Sequence, residues 1–301
     1  MQGAWTVARS PGIVVLVVFV TILSAVPFTL VVGSAVQDSL ASRPPVAQPF
    51  DDIDGEWWMQ FRAQATGLAA TFAPNILGFA APLSNLSALL DGTPQPWSLV
   101  TPLLLTLVVW AVLWGGILDR YVVDPSGGFG RFGRNAGHFA GRMLIVGGLA
   151  AVANLALYFT LHPMLFGVIY DPLAAAAGSE RNAFFARVML YVVFGLVLAG
   201  VSLIADYTKI AVVAHDQPVS SAARAATDFV RRQGASVVGL YLLIGLLFVA
   251  GFVGYGLVET YGGSRVGGWR AVAIGQAFVL WRLGIRLLFA ASQSHLFRAN
   301  A

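Results

Sequence analysis

The sequence holds no cysteine, a single lysine at Lys209, and few charges of either sign, with 11% of its 301 residues charged. Lack of cysteine excludes a disulfide framework, a thiolate metal site and a cysteine nucleophile. A soluble domain carries about 25% charged residues, so this scarcity excludes an ordinary soluble enzyme and a disordered chain. The four histidines, His138, His162, His215 and His295, share no metal-ligand spacing, and neither metal nor cofactor is expected. There is no Gly-x-Ser-x-Gly elbow, no His-Glu-x-x-His, no Walker lysine and no intramembrane carboxylate pair. No catalytic residue is assigned, and a non-enzymatic role is expected; a Ser/His/Asp set assembled in space would leave no trace in the sequence.

What is present is apolar. Hydrophobic residues make up 57% of the chain, and the mean hydropathy is +0.76. A bilayer core needs about 20 apolar residues per helix. Six runs meet that length: Ile13 to Val36, Trp97 to Leu118, Met143 to Leu161, Val188 to Ala205, Ala235 to Val258, and Ala271 to about Ser292. Barrel strands alternate over about ten residues, whereas these runs are continuous and about twice as long. A helix satisfies its backbone groups within the segment, as lipid demands. The first run is too long for a signal-peptide core and is read as a retained span. The expected fold is an all-α polytopic transmembrane helical bundle with six spans and amphipathic interfacial helices. Residues 1–301 form a single integral membrane domain, with an extracytoplasmic helical cap over 37–96.

The isoelectric point near 9.7 comes almost wholly from arginine. In a soluble chain it would suggest nucleic acid; here the arginines are read as setting orientation and touching anionic headgroups, and no nucleic-acid partner is expected. With the N-terminus inside, the inner segments hold ten positive charges against five acids, and the outer segments six arginines against nine acids. The positive-inside rule then places both termini in the cytoplasm, as in a multi-pass protein of an inner (plasma) membrane. Arg181 and Arg187, near the outer end of span four, run against this bias.

Between spans one and two lie about 60 residues. Ser42-Arg43-Pro44-Pro45 reads as a linker and Asp54 as a helix N-cap, with Glu56 in the first turn. Trp58, Phe61, Ala65, Leu68 and Phe72 recur on one helical face up to a stop at Pro74, and a second pattern runs from Leu83 to Asp91-Gly92. These amphipathic stretches read as a cap, a lid or a docking surface on the outer face. Asn85-Leu86-Ser87 matches a glycosylation sequon, a motif short enough to arise by chance. Gly262 to Gly268 reads as a flexible outer turn, without the strand-before, helix-after context of a nucleotide loop.

The inner segments suggest a duplicated hairpin. Spans two and four exit through Asp119-Arg120-Tyr121 and Asp206-Tyr207-Thr208, and each exit precedes a basic helical stretch and the next span. Arg131, Arg134 and Arg142 in the first stretch, and Arg224, Arg231 and Arg232 in the second, are candidate contacts to anionic lipid headgroups on the cytoplasmic side. Gly195, Gly200, Gly239, Gly245 and Gly251 are read as close-packing positions, and Asn154 and Tyr158 as a polar pair between helices.

Span six carries the most informative residues. Arg282 and Arg286 are four apart and share one face. A mid-membrane arginine costs at least about 2.5 kcal/mol on insertion scales, so Arg282 is expected to pack against protein. Gln276, Asp206 and Asp119 complete the candidate intramembrane polar site. One reading is a buried Arg286–Asp206 pair that fixes helix register; another is a pocket for an anion or lipid headgroup. These residues admit two functions. The first is a non-catalytic scaffold or accessory subunit with a protein partner in a membrane complex. The alternative is a transporter or permease component for an anionic or lipid-like solute. A water-accessible cavity at the arginine face separates the second from the first, for which that face should be sealed.

Overall fold

The computed structural model describes residues 2–41, 55–72, 86–93, 97–124, 126–262 and 268–300. Among them there is no strand, and six helices are long and apolar enough to cross a membrane. The chain is an all-α bundle. A short helix α1 (Gln2–Ala8) leads into α2 (Pro11–Ala41), and α3 (Gly55–Gln64) follows in the cap. Next come α4 (Val100–Leu118), α5 (Phe129–Pro163), α6 (Tyr170–Ala176), α7 (Glu180–His215), α8 (Val219–Arg232), α9 (Gly234–Gly262) and α10 (Trp269–Asn300). The six crossings are α2, α4, α5, α7, α9 and α10. Five of them exceed the apolar run that marks them, because helix continues into the flanking polar residues; α4 begins three residues into its run, after a 3-10 turn over Trp97–Leu99. The Ser42–Pro45 linker, Asp54, Pro74, Leu83, Asn85, the side chain of Glu259 and residues 263–267 of the glycine-rich turn lie outside the described residues.

The packed core sits at one end of the bundle. One cluster joins Ala111 and Leu118 of α4, Phe139 and Met143 of α5, Tyr207 to Val213 of α7, and Phe229 of α8. A second joins Ile13 and Val17 of α2 to Trp110, Leu113 and Ile117 of α4 and to Leu283, Leu287 and Ala291 of α10. This basic end carries Arg131, Arg142, Lys209 and Arg231 together with α1 and the last turns of α10, which Thr6 and His295 join at 2.7 Å. Toward the other end fewer side chains are buried, and only 6% of the most apolar window of the third and fourth crossings is buried. Leu103, Phe159, Leu196 and Leu246 are exposed there, as lipid-facing side chains should be.

Close helix approach occurs at Gly115, which faces the Asn135 carbonyl and Phe139 of α5. The small-residue reading needs correction elsewhere. A Cβ at Gly195, Gly200, Gly239 or Gly245 would meet nothing within 4 Å, and of the five predicted positions only Gly251 is packed, against Trp281. Those four glycines face away from neighbouring helices even where residues close to them in the chain, Phe194 and Val237, are buried.

The duplicated hairpin is only partial. The second basic stretch is the separate surface helix α8, with Ala222, Ala226 and Phe229 buried beneath it. The first is no separate helix: Arg131, Arg134 and Arg142 lie on the opening turns of α5, which runs unbroken from Phe129 to Pro163. Nothing between Phe129 and Met143 breaks the helix, whereas Gln233-Gly234 turns the chain after α8.

In the cap, Trp57 and Phe61 of α3 pack with Ala69 against Ala35 and Val36 of α2. The Trp57 indole N–H donates to Ser39 Oγ at 3.1 Å. This helix ends at Gln64, well before Pro74, and Gly67 then turns the chain at φ +60°. A helical turn over 86–90 is tied down from below. The Tyr158 hydroxyl donates to the Leu89 carbonyl at 2.7 Å, and His162 Nε2 meets the Leu90 carbonyl at 2.9 Å. Tyr158 thus reaches the cap rather than Asn154. Asp91 accepts from the Tyr191 hydroxyl and lies 3.5 Å from Arg187. The Tyr191 hydrogen bond, with Ser87 and the Arg187 charge, lowers the Asp91 carboxyl below its ordinary value. Arg187, against the positive-inside bias by count, is thereby matched with an acid.

Candidate functional site

A cavity of about 1040 Å³ lies between α2, α9 and α10. Its α10 wall runs from Val272 through Gln276, Val279, Arg282 and Arg286 to Phe289. At 1.5 Å per residue that is about 25 Å, most of a bilayer core. Thr21 to Leu30 of α2 form the second wall, and Ile244 and Phe248 of α9 the third. Ile22, Val26, Leu30 and Val272 are exposed at its margin, so it opens sideways to where acyl chains lie. The lining is apolar except for Thr21, Thr29, Gln276 and the two arginines. Both threonine hydroxyls are satisfied within their own helix, by the Val17 and Ala25 carbonyls.

The two guanidinium groups dominate the electrostatics. Spacing i, i+4 puts like charges on neighbouring turns of one face, where they repel. Neither has a carboxylate within 4 Å among the described residues. Arg286 is instead held over an aromatic pair, 3.3 Å from the Trp110 ring centroid and 5.4 Å from that of Trp114. A ring face stabilises a cation without neutralising it. Arg282 is exposed and faces the cavity, which corrects the expectation that it packs against protein: the space between α2, α9 and α10 at this face is open rather than filled.

Arg286 also lines a second, smaller cavity of about 280 Å³, with Trp114, Ser202, Asp206, Lys209, Phe289 and Gln293. The predicted Arg286–Asp206 ion pair is absent. Asp206 is held by Lys209 Nζ at 2.9 Å and by the Tyr241 hydroxyl at 3.1 Å, and Gln293 Nε2 donates to that hydroxyl at 3.3 Å. Lys209 lies one helical turn from Asp206 and reaches it without help from tertiary packing.

The candidate site therefore divides. Arg282, Arg286 and Gln276 share the large cavity, and Asp206 joins Arg286 in the small one. Asp119 belongs to neither. It is buried at the end of α4, where Arg131 forms a two-pronged pair with it at 2.9 and 3.1 Å and reaches Asp124 at 3.1 Å. Of the six candidate headgroup contacts, Arg131 is thus engaged within the protein. Arg142 is too, 2.7 Å from Asp216. Arg134, Arg224, Arg231 and Arg232 are exposed on the basic end. Trp110, Trp114 and Tyr241 were not recognised in the sequence as site residues, and an apolar run gives no sign of which aromatic will meet an arginine on another helix. Gln293 and Lys209 were visible as polar residues in or beside spans, a signal that could have placed them here.

No group of three His, Asp or Glu side chains among the described residues could hold a metal ion. No protein-family model, curated protein or solved structure matches this chain.

Proposed function

We propose that this multi-pass membrane protein binds an anionic, lipid-like solute, as a transporter or permease component. The observation that carries this reading is the pair of uncompensated guanidinium groups, Arg282 and Arg286, facing a large apolar cavity inside a span. A charge in low dielectric without a partner is costly. An anion bound between the two arginines removes that cost, and the apolar walls suit the hydrocarbon attached to it. The cavity size, about 1040 Å³, is at the upper end of ordinary ligand sites, roughly 300–1,000 Å³.

The scaffold reading calls for an arginine face closed by packed side chains, and the open cavity favours the solute reading over it. Under either role the exposed Arg134, Arg224, Arg231 and Arg232 meet anionic headgroups, each worth about 1 kcal/mol near such a surface. The positive-inside rule puts this end, with both termini, on the cytoplasmic side of an inner membrane.

The test is retention of anionic phospholipid by the purified protein, read by native mass spectrometry. Loss of one charged hydrogen-bonding group costs about 1.5–3 kcal/mol, or roughly tenfold or more in affinity. Arg282→Leu and Arg286→Leu should each lower retention by about that factor, with Arg→Lys variants intermediate. In reconstituted vesicles, Arg282→Leu should abolish movement of the solute. Unchanged retention in both leucine variants would remove the basis of the proposal.

A further inference from the structure

We infer that the solute is a phospholipid of the surrounding bilayer whose headgroup alcohol is uncharged and hydroxyl-bearing, of the phosphatidylglycerol type. This rests on the anion-binding function proposed for the same site and names its substrate class. The two cavities share two lining residues, Arg286 and Phe289, so they adjoin there, and the proposed molecule spans both. Its acyl chains lie along the exposed apolar margin formed by Ile22, Val26 and Leu30. Its phosphodiester sits against Arg282 and Arg286, and the headgroup alcohol esterified to the phosphate enters the small chamber past Arg286.

The chamber chemistry selects that alcohol. Its volume of about 280 Å³ corresponds to about nine waters at roughly 30 Å³ each, room for a small polar headgroup but not for a second chain. Asp206 and Lys209 form an ion pair at 2.9 Å, so together they add no net charge, and the Arg286 guanidinium stands at the entrance. An ammonium headgroup would meet Lys209 and Arg286 as like charges. A bare phosphate monoester would satisfy the arginines but leave the chamber unused. Hydroxyl groups both donate and accept. They match the remaining lone pairs of Asp206, the Lys209 ammonium, the oxygen of Ser202, whose own hydrogen goes to the Leu198 carbonyl at 3.1 Å, and the part of the Gln293 amide not used on Tyr241, which all line the chamber.

The experiment uses the full chain in nanodiscs of phosphatidylcholine doped in turn with phosphatidylglycerol, phosphatidic acid or phosphatidylethanolamine of identical acyl chains. Retained lipid is read by native mass spectrometry after extraction. The expected result is phosphatidylglycerol retained about tenfold over the other two, the difference made by one or two good hydrogen bonds to charged groups. Ser202 is exposed at the chamber mouth, so Ser202→Leu obstructs the chamber without disturbing the core. It should abolish the preference for phosphatidylglycerol over phosphatidic acid. Equal retention of phosphatidylglycerol and phosphatidic acid, a preference for phosphatidylethanolamine, or a preference that survives Ser202→Leu would each overturn the headgroup assignment and leave arginine-dependent binding standing. Retention of none of the three, or retention indifferent to Arg282→Leu and Arg286→Leu, would overturn both proposals.

Discussion

The guanidinium carbon of Arg286 stands over an aromatic neighbour, 3.3 Å from the ring centroid of Trp110 on α4. This contact joins the last crossing to the second at the level where α10 also packs on α2 through Leu283 and Leu287. It holds the arginine at the boundary between the two cavities, with its charge intact and available to a ligand.

Trp110→Leu should therefore do more than remove volume. A desolvated cation–π contact is worth about 2 kcal/mol, and truncating a buried tryptophan adds a packing loss. We expect a total of about 3 kcal/mol in unfolding free energy. Trp110→Phe, which keeps a ring under the guanidinium, should lose clearly less. Reversible unfolding in mixed micelles measures both, and equal losses would show that the ring face contributes nothing.

Gly115 is fixed by contact with backbone. A Cβ there would lie 2.8 Å from the Asn135 carbonyl oxygen and 2.9 Å from the Phe139 Cβ, and neither atom can swing aside. Gly115→Ala should cost about 1–3 kcal/mol as α4 and α5 are forced apart. Gly200→Ala is the control, since its Cβ meets nothing and alanine favours helix by about 1 kcal/mol. That variant should be neutral or slightly more stable in the same assay.

Asp216 ends α7 in the left-handed region, at φ 45°. It ties α7 to α5 through Arg142 at 2.7 Å and His138 at 3.2 Å. The Arg142 hydrogen bond first, and then that of His138, hold its carboxyl below the ordinary value of 3.8. A lowered folded pKa makes a stabilising contribution that is complete above the unfolded value and is lost as pH falls through the folded one. Thermal stability should thus fall on acidification below about pH 4, and Asp216→Asn should remove that part of the decline. Asparagine tolerates the left-handed backbone, which keeps strain out of the comparison. A wild-type-like acid profile in Asp216→Asn would place the acid-sensitive group elsewhere.

The number and helical nature of the crossings could be read from the chain because lipid acts locally: each span must satisfy its own backbone and be apolar on its own account. Arg282, Arg286 and Gln276 could be singled out for the same reason, since a polar residue in an apolar run carries its cost wherever it later points. The Asp206–Lys209 pair could also have been read, as it spans a single turn of one helix. The partner of Arg286 could not. Trp110 and Asp206 lie on different helices, and the choice between them depends on how α4, α7 and α10 come together. Asp119 looked equivalent to Asp206 by its place at a span exit, yet its fate was settled by Arg131 on the next helix.

The sequence by itself determined that this chain crosses a membrane as six helices and that two arginines interrupt the last of them. Both follow from the transfer free energy of each segment, which is additive along the chain. Only the tertiary structure decided that the main core gathers at the basic end and that α2 and α9 leave a cavity along the arginine face of α10. That outcome depends on which small side chains meet across an interface, and the meeting of Gly115 with α5, like the openness around Gly200, is a relation between helices that no single segment contains.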